Sequence, residues 1–207
     1  QHEPSAGEVL TKAAPLIRAA SLQIADPQVR YLGTIGGNVA NGDPANDMPG
    51  LMQTLDATYH LTGPEGSRKV KARDFYEAAY FTAREDEEIL TAISFAKPTG
   101  GFAYEKQKRK IGDYATAAAG VMITIEGGKC TAASVALTNL SDTPVYCADA
   151  VDALVGSSLD DSTINAAVIA AGDASDPVAD TRGPVDFRNH VAGVIVKKAI
   201  TSAVARA

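Results

Sequence analysis

Thr34-Ile35-Gly36-Gly37-Asn38 combines residue types that suit a bound anion better than a core. Adjacent glycines can adopt positive φ and carry no Cβ, so backbone N–H groups can converge on a ligand that approaches closely. The Thr34 hydroxyl and the Asn38 amide add donors, giving the composition of a diphosphate cradle. An isolated Gly-Gly also reads as a hairpin turn. The continuation Asn41-Gly42-Asp43-Pro44-Ala45-Asn46-Asp47 supplies more polar and stiffening residues than a turn needs. It lacks the Gly-Lys-Ser/Thr of a Walker loop, the Gly-x-Gly-x-x-Gly of a dinucleotide fold and the closing Glu of an EF-hand loop. Residue chemistry alone therefore gives an anion-binding glycine loop with its ligand unspecified.

The chain that must position this loop has 207 residues and a formal charge of −6. That length holds one large or two small domains. The acidic balance argues against a nucleic-acid or anionic-membrane surface, which would need clustered Lys and Arg. The main basic cluster, Lys106-Gln107-Lys108-Arg109-Lys110, reads as a solvated strand or loop, or more sharply as a positive patch beside a phosphate. Cys130 and Cys147 are too far apart for a metal pair and too few for a disulfide framework, so buried reduced thiols are expected. His2, His60 and His190 are scattered and give no metal site. No signal peptide or bilayer-length apolar run is visible, and the expected location is the cytoplasm, including the inner face of its membrane. Opening on Gln1, the chain reads as part of something longer.

Ser5-Ala6-Gly7-Glu8 fits a capping box before a helix that Pro15 should break or restart. Residues 25–32 read as an irregular lead into the glycine loop, and Asp47 is placed to cap a short helix through Leu55. Residues 57–61 and 68–71 flank Gly63-Pro64-Glu65-Gly66 as a hairpin. Residues 74–80 read as a helical turn, 84–88 as an exposed charged loop and 89–95 as a buried strand. A boundary is expected at Lys97-Pro98-Thr99-Gly100-Gly101, dividing domains 1–98 and 99–207. Beyond it come strands 102–107, 115–126 and 129–137, then helices over about 147–154, 162–171 and from Pro184 to the C-terminus. Strands followed by helices indicate an α+β class, with a three-stranded antiparallel sheet carrying three helices on one face.

Three stretches carry a resemblance: Ile24-Ala25-Asp26-Pro27-Gln28-Val29-Arg30, the loop Gly33 to Asn38 with Asn41 to Pro49, and Tyr104 to Thr116. Together with Arg182-Gly183-Pro184 they resemble, nearly end to end, the FAD-binding subunits of molybdenum-containing hydroxylases, and in particular the medium subunits of aerobic carbon monoxide dehydrogenases. The resemblance implies the middle subdomain of a vanillyl-alcohol-oxidase-type FAD-binding domain followed by a C-terminal α+β domain. The family's N-terminal subdomain has no counterpart in this sequence. By the same resemblance Thr34, Ile35, Gly36, Gly37 and Asn38 bind the FAD pyrophosphate, Asp47 contacts the cofactor, and Ile24 and Leu90 line it. Lys106 lies near the polar edge of the ring, and Tyr114 packs against its face. It further implies an electron-transfer role: electrons pass from 2Fe–2S clusters of a small subunit to FAD and on to a quinone or other acceptor, with carbon monoxide oxidised at a molybdopterin site in a large subunit. A dimer of heterotrimers is the implied assembly. Two other readings remain: a flavin subunit serving an aldehyde or N-heterocycle hydroxylase, and a cofactor-free docking module.

Overall fold

The computed structural model describes residues 7–207, so Ser5 of the expected capping box lies outside the described residues. Helix α1 spans Glu8–Ala13 behind Gly7, and α2 restarts at Pro15 and runs to Ser21. Pro15 lacks the N–H that an unbroken helix would need and is well suited to a first turn.

Residues expected to be irregular form a third helix, α3 (Pro27–Leu32). Asp26 is its N-cap, accepting the Val29 N–H at 3.0 Å, and Pro27 fills the first helical position. Next comes α4 (Ile35–Ala40), then α5 (Asp47–Thr54). The N-cap of α5 is Asn46, and Asp47 is its first residue. The Asp47 carboxylate does not cap the helix because it is drawn into tertiary contacts described below.

The predicted hairpin forms as β1 (Thr58–Gly63) and β2 (Gly66–Lys71), with Gly63 opposite Gly66. The helical turn expected over 74–80 does not form. A single 3₁₀ turn occupies Ala72–Asp74, and β3 (Tyr76–Ala78) pairs with β4 (Phe81–Thr82) instead. Packing decides this: the Tyr76 hydroxyl lies 2.9 Å from that of Tyr59 and donates to the Val39 carbonyl, which an outward-turned helical residue could not reach. Strand β5 (Ile89–Ser94) joins the other side of β1, giving the order β2-β1-β5. It was expected to be buried but lies at the sheet edge, with Ile89 69% exposed.

The second sheet is built from β6 (Gly101–Gln107), β7 (Ala117–Glu126) and β8 (Lys129–Thr138), all antiparallel, with a two-residue β9 (Val145–Tyr146) on its edge. Helices α6 (Ala148–Leu154), α7 (Asp161–Asp173) and α8 (Val185–Val204) follow. Alternate residues Ala117, Ala119, Val121 and Ile123 pack with these helices, whereas Tyr104, Ala118 and Met122 face the N-terminal half. The three helices expected on one face of this sheet lie there, and α5 of the N-terminal half covers the other. Cβ atoms at Gly50 and Gly120 would collide with Thr138 and Thr54, so both glycines are needed for the close approach of helix and sheet.

Cys130 and Cys147 are free and buried. Burial raises both thiols, Cys147 to about 12. Both should resist a thiol-specific disulfide reagent at mildly alkaline pH and react together only after denaturant is added, because the thiolate is the nucleophile.

Candidate functional site

The glycine run is not a loop but the first turn of α4. Thr34 is extended, and its Oγ1 accepts the Gly37 N–H at 2.9 Å as an N-cap. Neither Gly36 nor Gly37 has positive φ, so the requirement for glycine here is steric. A Cβ on Gly37 would meet Thr34 Oγ1 at 2.9 Å, crowding the cap. A Cβ on Gly36 would have Leu90 Cδ2 at 3.9 Å as its nearest neighbour, so that position is open within the fold and admits something from outside. The Asn38 N–H bonds Thr34 O inside the helix, whereas the N–H groups of Ile35 and Gly36 precede the first helical acceptor. Two adjacent N–H groups at a helix start, one of them on a residue without a Cβ, suit a diphosphate.

Tertiary contacts hold α4 in place. Val39 is buried, and its carbonyl accepts from Tyr76. Asn38 O accepts from Asn46 Nδ2 at 2.9 Å, and Asn38 Oδ1 accepts from the Met48 N–H at 3.3 Å. The Asn38 side chain, expected to donate to the anion, thus spends its oxygen on joining α4 to α5. Ile35, Gly36 and Leu90 share an apolar groove of about 310 Å³ with Leu10, Ile17, Ile93 and Phe95. A larger cleft at the β1–β2 turn is lined by Glu65, residues 85–88 and Arg68, whose charge is taken up by Glu88. That acidic lining would repel a diphosphate, so the smaller apolar groove beside the helix start is the better match.

A second group sits where α5 meets β6. Lys106 Nζ is 2.7 Å from Asp47 Oδ2, and the two side chains are 1% and 4% exposed. Tyr104, two residues from Lys106 and therefore on the same strand face, donates its hydroxyl to Asp47 Oδ1. Burial pushes the Asp47 carboxyl up, against the pull of Lys106. Lys106 is thus neither solvated nor loose, and Asp47 acts chiefly by orienting it. Lys106 and Lys108 both donate to Gln23 O at 3.4 Å, and Gln23 Nε2 returns a bond to Tyr104 O at 3.2 Å. The expected positive patch is therefore largely engaged. Burial, with Lys106 nearby, lowers the Lys108 ammonium.

Ile24 follows Gln23 directly, is buried, and gives its carbonyl to Arg30 Nη1 at 2.7 Å. A Cβ on Gly112 would stand 3.5 Å from the Ala25 carbonyl carbon, so the turn carrying Tyr114 rests beside Ala25, the residue after Ile24. Tyr114 is 47% exposed. Its phenol is raised first by burial and then by Asp43, with Arg182 opposing. The structure therefore orders the sequence-predicted residues as a groove (Ile35, Gly36, Leu90), a cap (Thr34, Gly37), a bridge (Asn38), a buried cation pair (Asp47, Lys106), an exposed ring (Tyr114) and a buried core residue (Ile24). Tyr104 and Gln23 were given no role by sequence reasoning. The two-residue spacing of Tyr104 and Lys106 was the available signal for the first; nothing local marked the second.

Residues 2–98 match a family model described as the FAD binding domain in molybdopterin dehydrogenase, and residues 102–203 match the CO dehydrogenase flavoprotein C-terminal domain. The carbon monoxide dehydrogenase medium chain of Afipia carboxidovorans is 55% identical over all of this chain and 73% of its own length. That of Hydrogenophaga pseudoflava is 40% identical over 93% of this chain and 68% of its own. A solved structure of reconstituted CO dehydrogenase from Oligotropha carboxidovorans superimposes with a TM-score of 0.98 at 54% identity, covering 100% of this chain and 73% of that one. A glycine-bearing helix start beside an apolar groove is compatible with the FAD assignment that these matches carry. The chain belongs to the FAD-binding medium chains of the carbon monoxide dehydrogenase family, oxidoreductase subunits of molybdopterin-dependent enzymes.

Proposed function

We propose that this chain is the electron outlet of a carbon monoxide-oxidising complex. Carbon monoxide and water become carbon dioxide and two protons at a molybdenum site in a large subunit, and the two electrons released cross 2Fe–2S clusters in a small subunit to reach FAD here. Bound FAD links those one-electron carriers to a two-electron acceptor such as a quinone. The assembly is a dimer of heterotrimers in the cytoplasm, at the inner face of the membrane. Among the described residues no helix is long and apolar enough to cross a membrane. The chain divides at about residue 98, the first part holding the diphosphate and the second closing over the ring.

In this reading the Ile35 and Gly36 N–H groups hold diphosphate oxygens. Thr34 and Gly37 keep those donors aimed, while Ile24, Ile35 and Leu90 exclude water. Lys106, fixed by Asp47, places a positive charge that favours added negative charge nearby. Tyr114 presents a phenol ring that stacks and limits access. The observation that carries the reading is the open Cβ position at Gly36, facing an apolar groove at a helix N-terminus.

The test is a flavin spectrum of the native complex. Flavin bands that bleach on adding carbon monoxide and return with a quinone analogue are expected; a complex without flavin, or with flavin that carbon monoxide does not bleach, rejects the assignment. Tyr114→Ala should keep flavin content and change its reoxidation several-fold. Unchanged kinetics would remove Tyr114 from the site.

A further inference from the structure

Arg182-Gly183-Pro184 lies far in sequence from every residue assigned above. The fold nonetheless sets the Arg182 guanidinium 5.8 Å from the centroid of the Tyr114 ring. Its side chain is only 17% exposed, unlike a solvated surface arginine. Asp180 holds it twice, accepting the Arg182 N–H at 2.7 Å and Nη1 at 2.8 Å. Reciprocal backbone bonds between Asp180 and Gly183 close this turn.

Two more arginines brace it. Arg188 is fully buried on α8; its Nη1 donates to Val178 O at 2.7 Å and stands 3.6 Å from Asp180 Oδ2. Its Nη2 reaches the Thr116 and Asn139 carbonyls at the end of the sheet. Arg109 donates to Thr181 O and to Asp113 Oδ2, both at 3.1 Å, and Asp113 Oδ1 accepts the Tyr114 N–H at 2.9 Å. One arginine thus ties the turn carrying Arg182 to the turn carrying Tyr114. With both backbones pinned, the cation over the ring acts on the freedom the phenol keeps, its side-chain torsions.

Resting on the flavoprotein reading above, we infer that Arg182 is a positioning residue for Tyr114. The guanidinium holds the ring in one stance and so sets how readily an electron acceptor reaches the cofactor behind it.

The test uses the full-length subunit in its complex, with Arg182→Gln, Arg182→Lys and Asp180→Asn. Two quantities are read: nitration of Tyr114 by tetranitromethane, mapped on its peptide, and reoxidation of the reduced flavin by a quinone analogue. Arg182→Gln should raise nitration and shift reoxidation, each by about two- to five-fold, the factor a cation–ring contact of this exposure supplies. Arg182→Lys keeps the cation and should fall between. Asp180→Asn loosens Arg182 without removing it and should move both readouts in the same direction, which covers an Arg182→Gln protein that does not fold. Wild-type nitration in both Arg182→Gln and Asp180→Asn overturns the positioning role, and raised nitration with unchanged reoxidation overturns its effect on the acceptor. A wild-type complex lacking flavin rejects the flavoprotein reading instead, and the nitration result still decides whether Arg182 holds Tyr114.

Discussion

Gly36→Val should strip FAD from the subunit while leaving the fold intact. Space inside the chain is not the obstacle, because the nearest atom to a new Cβ is Leu90 Cδ2 at 3.9 Å. Helix propensity is no obstacle either, since valine is the better helix former. What the side chain would displace is a diphosphate approaching the Ile35 and Gly36 N–H groups. A hydrogen bond to a charged group is worth about 1.5–3 kcal/mol, so losing two removes roughly 3–6 kcal/mol, or about 10²- to 10⁴-fold in affinity. Gly37→Val differs in kind. It crowds the Thr34 cap and should also lower stability by about 1 kcal/mol, the usual cost of a lost N-cap. Flavin content beside thermal melting of the flavin-free proteins separates the two: without cofactor Gly36→Val melts like wild type, whereas Gly37→Val melts lower, and neither retains flavin. Normal flavin content in Gly36→Val would sink the cradle.

Which parts of this site could be read in the sequence follows from how local their causes are. Gly36-Gly37 marks a backbone-led anion site because lacking a Cβ is a property of the residue itself. That the segment is helical is harder to see, since two glycines argue against a helix and the deciding factors are the Thr34 cap and the anchors at Val39 and Asn38. Asp26-Pro27 is a legible start signal for α3, a polar N-cap followed by proline, and it outweighs the irregular composition of the residues around it. Residues 89–95 are apolar enough for a buried strand, yet β5 lies at an edge. No local pattern reports which neighbours a strand will receive.

The charged residues make the same point more strongly. Asp47 and Lys106 each stand out in the sequence, but 59 positions separate them, and nothing in either neighbourhood announces that they pair. Their contact exists because α5 lies on the sheet face that Tyr104 and Lys106 share. Arg188 reads only as part of an amphipathic C-terminal helix, though it is among the most deeply buried side chains and anchors the turn of Arg182. Buried cations of this kind are recognised only once their acceptors, here mostly backbone carbonyls, have been brought together.

Lys106→Met tests the most consequential of these pairs. The thioether fills much of the lysine volume and removes the charge, leaving Asp47 at 4% exposure with Tyr104 as its remaining polar partner. Breaking one side of a buried ion pair costs about 3–5 kcal/mol, far more than the pair contributes over an apolar replacement. The loss should depend on pH with a definite sign. Burial already holds the Asp47 carboxyl above its ordinary value of 3.8, and removing Lys106 takes away the largest opposing influence, so the folded-state value rises further. A carboxyl raised in the folded state loses stability as pH climbs through that folded value, and loses none below its unfolded value. Denaturant melts of Lys106→Met should therefore show a deficit that grows as pH rises from acid to neutral and shrinks toward the wild-type curve in acid. Asp47→Asn combined with Lys106→Met removes the stranded charge and should recover much of the deficit at neutral pH, because Tyr104 can still donate to the carbonyl of the introduced amide. A deficit that stays constant with pH, or a double variant no better than Lys106→Met alone, would mean that the lysine acts through its packed stem and not through its charge.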